Sequence, residues 1–327
     1  MKLATLRDGT PDGALVVVSR DLARAVAAAG IAPTLLAALD DWERTAPQLQ
    51  GLSNRLAAGS LDGAFRLEPQ RLAAPLPRAF GWIDSSVYLN HMELARKLRG
   101  ATVPDAYRRE PLMSPRLSSP FLAANDDLPL PPGNVDLDIE GELAAIVDAV
   151  APRTLPSEAS RHLKLVVLIN DVSLRAVFAR EMAQGKTGYL GKCAASMSPV
   201  AVTPDEIGAA WNGGTIDLPL VCHVNDRLLG RPNAAVDMSF DLRDLVSHAS
   251  AYRPLGAGTI IATGTVSNRD PAVGSACIAE RRMTETLEYG APRSDYLKAG
   301  DRFRIEMLDA RGASIFGAIA QQVVNAG

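Results

Sequence analysis

The stretch "NVDLDIEGELAAIV", residues 134–147, sets Asp136, Asp138, Glu140 and Glu142 at alternate positions and then runs into apolar residues. Successive side chains of a β-strand point to opposite faces, so residues i and i+2 share a face at roughly 7 Å. The other face would carry Val135, Leu137, Ile139 and Gly141, which suits a core. The continuation "LAAIV" reads as buried, so the carboxylate row approaches an interior. Like charges at about 4 Å repel by about 4 kcal/mol at an effective dielectric of about 20, so such acids need a neutraliser. A cation, a cluster of Lys and Arg, or protons would each serve.

Further β-type segments follow: "KLVVLINDVS", "IDLPLVCHVN", "GTIIATGTVS", "DRFRIEML" and "SIFGAIAQQVV". Helices punctuate them irregularly. "TPDEIG" spells a capping box on Thr203, Pro204 and Glu206, and "SFDLRDLVSHAS" has helical spacing. This order disfavours a TIM barrel or Rossmann sheet and predicts a β-rich α+β fold. Residues 1–78 read as a small N-terminal α/β domain: a strand, then an Ala- and Leu-rich helical stretch broken at Pro33 and Pro47. Residues 79–327 are the expected catalytic domain. The proline-rich stretch 101–133 lacks periodicity, and an irregular segment of that length is a candidate cover for an active site.

Composition excludes several classes. The chain has 327 residues, 47% hydrophobic and 22% charged, with net charge −3. Nothing in the charge distribution suggests a nucleic-acid surface, and no apolar run approaches the ~20 residues that span a bilayer. The start lacks the pattern of a signal peptide. Cys193, Cys222 and Cys277 are scattered and read as free thiols, which fits a reducing cytoplasm.

Polar residues interrupt three otherwise regular segments. "GWIDSSVYLNHMELARKLRG" carries Asp84 and, seven on, His91 near a helix start. "LVVLINDVSLRAV" ends an apolar strand in Asn170-Asp171. "ATGTVSNRDPAVGSACIAERRM" ends a strand in Gly264-Thr265 and places Glu280 within the next apolar run. Singly, Asp171 could be a helix N-cap, Glu280 a strand-surface charge and His91 a half-buried histidine. Together they supply acids for a metal, a base and an orienting carboxylate, the inventory of a metal-assisted hydrolase. His162, His223 and His248 read as structural or surface residues, Trp82 and Trp211 as packing residues, and "ERRM" at 280–283 as a salt-bridged strand face.

In order and near the expected spacing, "IDSSVYLNH", "LDIEGELA", "NDVSLR" and "ATGTVS" followed by "GSACIAE" resemble the fumarylacetoacetate hydrolase superfamily over roughly residues 80–325. "YLGKCAASMSPVAVTPDE" resembles its lysine-containing loop. The resemblance implies a mixed β-sandwich roll and a divalent cation on Asp84, Glu140, Glu142 and Asp171. It does not extend to Asp136 or Asp138, which read as loop and strand-entry acids facing solvent or pairing with Arg. It implies His91 as general base oriented by Glu280, Lys192 as the neutraliser of developing charge with Ser196 near it, and Gly264-Thr265 as a hold for a substrate carboxylate. An all-oxygen ligand set selects Mg²⁺ or Ca²⁺, or Mn²⁺, over zinc.

The implied activity is hydrolysis of a C–C bond in a β-diketo acid, fumarylacetoacetate or an acylpyruvate, in aromatic-compound catabolism such as tyrosine degradation, by a homodimer. Decarboxylation of a 2-oxo acid and hydration of a 2-hydroxydienoate use related enolate chemistry. A protein merely stabilised by a structural cation is the non-enzymatic alternative, and it would not need the pair His91/Glu280. Departures bear on the substrate: Ser86 stands where members carry a tyrosine, "REPLMSPRLSSP" replaces a glycine- and histidine-rich loop, and Arg99 matches a family arginine only with spacing one residue short.

Overall fold

The run "LKLVVLINDVSL" forms one long strand, Leu163–Leu174, whose side chains are buried on both faces. In the computed structural model, which describes residues 1–59, 61–118, 120–186 and 188–326, this strand is the spine of a twelve-stranded mixed sheet. Gly141–Val147 lies antiparallel to it, from Leu163 opposite Val147 to Asn170 opposite Gly141. Thr259–Thr265 pairs with Gly141–Val147, then Gly81–Ser85 adds in parallel and Met113–Arg116 closes that flank. On the other flank Ala201–Val202 connects to Lys2–Leu6, Ala14–Val18, Arg24–Ala27 and Phe65–Arg66. A second sheet runs Arg227–Gly230, Leu220–Val224, Arg302–Met307, Ile319–Asn325 and Leu128–Leu130. The β-rich α+β expectation holds, and among the described residues no closed barrel forms.

Because strand side chains alternate, the large sheet builds a core on each face. Leu143, Ala145, Val147, Val166 and Leu168 face the second sheet and pack with Ile305, Met307, Phe316 and Ile319. Ala144, Ile146, Leu165, Val167 and Ile169 face the opposite way, onto Leu3, Leu15, Leu35, Leu49 and Leu52 from residues 1–78. The N-terminal segment therefore extends the sheet through Lys2 opposite Val202 and covers one of its faces. Residue 327, the last of the expected catalytic domain, lies outside the described residues.

Four local expectations change. Residues 134–147 are not one strand: Leu137–Asp138 and Gly141–Val147 are separated at Ile139-Glu140, where the Glu140 amide donates to the Asn170 side chain. Pro47 sits inside helix Trp42–Ala57. It removes only a bond to the Glu43 carbonyl in the first turn, while Leu49, Leu52 and Leu56 still anchor the helix in the core. Thr203 does not cap Pro204–Ala210; its hydroxyl is engaged with Met1. Residues 278–289 form a helix, Ile278–Tyr289, capped by Cys277 and ended by left-handed Gly290, so Glu280 and the "ERRM" run are helical. The good helix formers Ala279 to Met283, with Glu285, Leu287 and Glu288, outweigh the short apolar run before them.

Candidate active site

Three strands of the large sheet bring the acids together, with Thr259–Thr265 lying between two of them. Glu142 lies opposite Ile169, two residues before Asp171, on one side and opposite Thr265 on the other. Asp84 joins from Gly81–Ser85, next to the end of Thr259–Thr265. Oxygens of Asp84, Glu142 and Asp171 all lie within 4.8 Å of one another, and all three residues are buried. Gly264 makes the approach possible. Its φ is +80°, and a Cβ there would sit 2.1 Å from the Ser85 carbonyl oxygen, so only glycine lets the strand bearing Asp84 close in.

The cationic partners come from farther away in sequence. Arg116 donates to Asp84 Oδ2 at 2.6 Å and lies 3.5 Å from Asp171 Oδ2. Lys192 donates to Asp171 Oδ2 at 2.7 Å and to Glu140 Oε1 at 2.9 Å. Arg175 pairs with Glu140 and with Asp138, both at 2.7 Å. Ser173 and Thr265 hydroxyls complete the hold on Glu140, each at 2.7 Å. Among the described residues of this cluster, five carboxylates face three cationic side chains, so with all five ionised two negative charges stand uncompensated.

The deficit is localised. Asp84 and Asp171 each have one oxygen ion-paired and the other, Oδ1, buried with no partner, and both oxygens of Glu142 are buried without partners. Buried carboxylate oxygens carry a large desolvation cost when unpaired. Burial accordingly pushes the Asp84 carboxyl up to about 7, against Arg116 and with Asp171 adding to the rise. Glu142 is pushed well above the usual carboxylate range by burial and then by Asp84, Asp171 and Glu140. For Glu140, burial is outweighed by Arg175 and Lys192, which hold it well below that range. Burial would likewise lower Lys192, but Asp171 and Glu140 raise it above its ordinary value. Converging free oxygens with a twofold charge deficit fit a hard divalent cation, with Asp84, Glu142 and Asp171 able to hold it and Glu140 beside them.

His91 and Glu280 stand at the edge of this cluster. His91 is in the first turn of Leu89–Lys97, and its Nδ1 is 2.8 Å from Glu280 Oε2. The Glu280 side chain is 3% exposed and that of His91 23%, so the imidazole reaches solvent while its carboxylate does not. His91, Asp84, Glu140, Lys192, Gly264 and Thr265 line one cleft of about 280 Å³. Its outer wall carries Met92, Arg96, Arg99, Tyr107, Leu112 and Phe178, so the proline-rich stretch contributes directly to it. A larger cavity of about 760 Å³ lies against the second sheet, lined by His223, Arg302 and Gln321 among others, and it holds none of these acids.

Some expected site residues are placed differently. Ser196 is fully buried and donates to Gln321 at 2.7 Å, away from the acids. The Thr265 hydroxyl is used on Glu140. Asp138 does pair with an arginine, as expected of a strand-entry acid, but it is wholly buried rather than facing solvent. Arg116, Arg175 and Ser173 were not singled out from the sequence. Arg175 closes the "NDVSLR" segment, which was a usable signal, whereas Arg116 lies in "MSPR" with no distinguishing pattern.

A profile of the fumarylacetoacetate (FAA) hydrolase C-terminal family matches residues 85–324, and one of the fumarylacetoacetase N-terminal domain 2 matches residues 1–78. The chain is 30% identical over 192 residues to 2,4-didehydro-3-deoxy-L-rhamnonate hydrolase of Sphingomonas sp. (strain SKA58), covering 59% of each. It is 28% identical over 169 residues to a human mitochondrial oxaloacetate tautomerase, covering 51% of this chain and 50% of that one. The match thus spans between half and three-fifths of these relatives' length. In fold it is similar to maleylpyruvate hydrolase from Sphingobium sp. SYK-6, solved in complex with manganese (II) ion and pyruvate (TM-score 0.66, 20% identity, all of both chains). It is also similar to 5-carboxymethyl-2-hydroxymuconate delta-isomerase from Mycobacterium smegmatis (TM-score 0.61, 18% identity, all of both chains). With the first profile covering most of its length and the acids, the lysine and the His–Glu pair gathered at and beneath one cleft, the chain belongs to the fumarylacetoacetate hydrolase family.

Proposed function

We propose that this protein is a divalent-metal-dependent hydrolase that cleaves a C–C bond in a β-diketo acid of the fumarylacetoacetate or acylpyruvate type. One observation carries the reading: a buried carboxylate cluster with four unpartnered oxygens lies beside a His–Glu pair whose histidine lines a cleft. Its hydrolase relatives, which act on small oxo acids by their names, support it. Asp84, Glu142 and Asp171 would hold the cation, with Glu140 close by. When bound, Mg²⁺, Ca²⁺ or Mn²⁺ supplies Lewis-acid polarisation of a substrate carbonyl.

The chain's own groups do the rest. Nδ1 of His91 is committed to Glu280, so Nε2 is the atom that accepts a proton from water. Glu280 fixes the ring and stabilises the imidazolium. Hydroxide adds to the distal carbonyl carbon, the C–C bond breaks, and its electron pair stays on the departing fragment as an enolate. Lys192 and Arg116 offset the charge that develops there, and the proton on His91 returns to the enolate carbon. Cytoplasmic residence and a homodimer belong to the same proposal.

A second reading, oxo-acid tautomerisation, draws on the tautomerase relative; there His91 would move a proton between carbon and solvent without bond cleavage. Incubating the purified protein with acylpyruvates, fumarylacetoacetate and oxaloacetate, with Mg²⁺ or Mn²⁺ and after chelation, separates these. Metal-dependent release of two acids from a β-diketo acid is expected. Enol–keto conversion of oxaloacetate with no cleavage of any diketo acid would replace the hydrolase reading by the tautomerase one. Full turnover by His91→Ala with release of CO₂ would favour a decarboxylase.

A further inference from the structure

The mechanism above leaves Asp138 and Arg175 without a role, although the wholly buried Asp138 and the partly buried Arg175, which lines the cleft, join the acid cluster to the helix bearing Glu280. Asp138 accepts from the amides of Ile278, at 2.7 Å through Oδ1, and Ala279, at 2.9 Å through Oδ2. These are the first two residues of helix Ile278–Tyr289, and the next amide, that of Glu280, donates to Cys277 Sγ at 3.3 Å. Asp138 thus anchors the turn that carries Glu280, from a strand-entry position two residues before Glu140. On its other side Asp138 Oδ2 takes Arg175 Nε at 2.8 Å, and the same guanidinium reaches Glu140 Oε1 at 2.7 Å. A continuous path therefore runs Glu140, Arg175, Asp138, first turn, Glu280, His91.

We propose that Asp138 and Arg175 are positioning residues that couple occupancy of the acid cluster to the alignment of the His91–Glu280 pair. Arg175 is shared between two carboxylates. A cation that draws charge from Glu140 leaves more of the guanidinium to Asp138, which in turn holds the helix start. Hydrogen bonds to a charged partner are roughly twice as strong as neutral ones, so the carboxylate of Asp138 is a stiff link. Asparagine in its place keeps the shape but turns an NH₂ toward a backbone N–H, so one of the two anchoring bonds must fail. The inference rests on the metal-dependent, His91-based reading of the site.

The test uses the full chain with isotope-labelled histidine, following the His91 imidazole by NMR during Mg²⁺ titration, together with melting curves. The His91 signal is assigned by its loss in His91→Gln. In the wild type, Mg²⁺ should both raise the melting temperature and move the His91 signal. In Asp138→Asn the melting response should persist while the His91 shift falls to less than about half. Arg175→Lys, which cannot bridge two carboxylates in the same way, should behave alike and serves if Asp138→Asn fails to fold. A wild-type His91 response in the folded variants would overturn the coupling while leaving the metal reading intact; no Mg²⁺ response in the wild type would reject the metal reading itself. On a turned-over substrate, Asp138→Asn should lower kcat by about tenfold to a hundredfold with KM little changed, in the range found for residues that orient a metal site's ligands. The same substitution should cost nothing further in a Glu280→Gln background; losses that simply multiply would mark Asp138 as merely structural.

Discussion

Glu142 and His91 show how differently two residues of one site should answer to substitution. Glu142 is fully buried with both oxygens unpartnered, so it costs the metal-free protein stability. Glu142→Leu should leave metal-free stability unchanged or raise it, by about 1 kcal/mol or more, as replacement of buried ionic groups by apolar ones often does. It should also abolish stabilisation by Mg²⁺ or Mn²⁺, which at about 100 times the dissociation constant is worth about 2.7 kcal/mol in the wild type. Chemical denaturation with and without metal checks both; an undiminished metal response would remove Glu142 from the ligand set. His91→Ala should keep that metal response and lose about 10²–10⁴-fold in turnover, the usual contribution of a general base. Steady-state kinetics beside melting curves separate the two effects. Both residues were legible in the sequence because a carboxylate pair entering an apolar strand and a lone histidine after an acid are unusual in regular segments.

At the scale of elements, the helix Ile278–Tyr289 is held at both ends. Asp138 anchors its start, and Glu285 near its end accepts the amides of Arg293 and Ser294 at 2.7 and 2.8 Å and the Ser294 hydroxyl at 2.6 Å. Although its burial works in the opposite direction, the Ser294 hydroxyl and these two amides bring the Glu285 carboxyl down to about 2. Its folded value lies below its unfolded one, so the stability it contributes is present above about pH 4.5 and is lost as pH falls towards about 2. The stability difference between wild type and Glu285→Gln should therefore shrink between about pH 6 and about pH 3, as denaturation midpoints at the two pH values will show; a constant difference would refute the assignment. Gly264→Ala should act on another element. A methyl group against the Ser85 carbonyl, with φ at +80°, must push strand Gly81–Ser85 outwards and carry Asp84 with it. A loss of more than about 1 kcal/mol, together with a weakened metal response, is expected from the same denaturation series. The strands were readable from alternation, but the helical state of residues 278–289 was hidden because a short apolar run fits strand and buried helix alike.

For the whole molecule, the sharing of one sheet face between residues 1–78 and the rest has a direct consequence. A chain lacking residues 1–78 would expose Ala144, Ile146, Leu165, Val167 and Ile260 together, a contiguous apolar patch of the kind that drives aggregation. Such a chain should be insoluble or molten, which gel filtration and near-ultraviolet dichroism will reveal; a folded, soluble product would show that the N-terminal segment is dispensable. Light scattering should give twice the 34.7 kDa chain mass, and a mass of one chain at micromolar concentration would reject the proposed homodimer.

From the sequence alone came the strand pattern, the β-rich fold class and the identity of most of the acids, together with the lysine and the His–Glu pair. The strand pattern and the acids are local signals, periodicity and polar residues where burial makes them costly; the lysine and the pairing of His91 with Glu280 came from the resemblance carried by the ordered motifs. Which carboxylate oxygens remain unpaired, that Arg116 and Arg175 supply the counter-charges, that Asp138 anchors a helix about 140 residues away and that Ser196 turns to Gln321 were decided only by the tertiary structure. The physical reason is that a buried charge finds its partner in space. Arg116 is 32 residues from Asp84 and Lys192 is 52 from Glu140, and no local pattern records which distant cation the sheet will bring within reach.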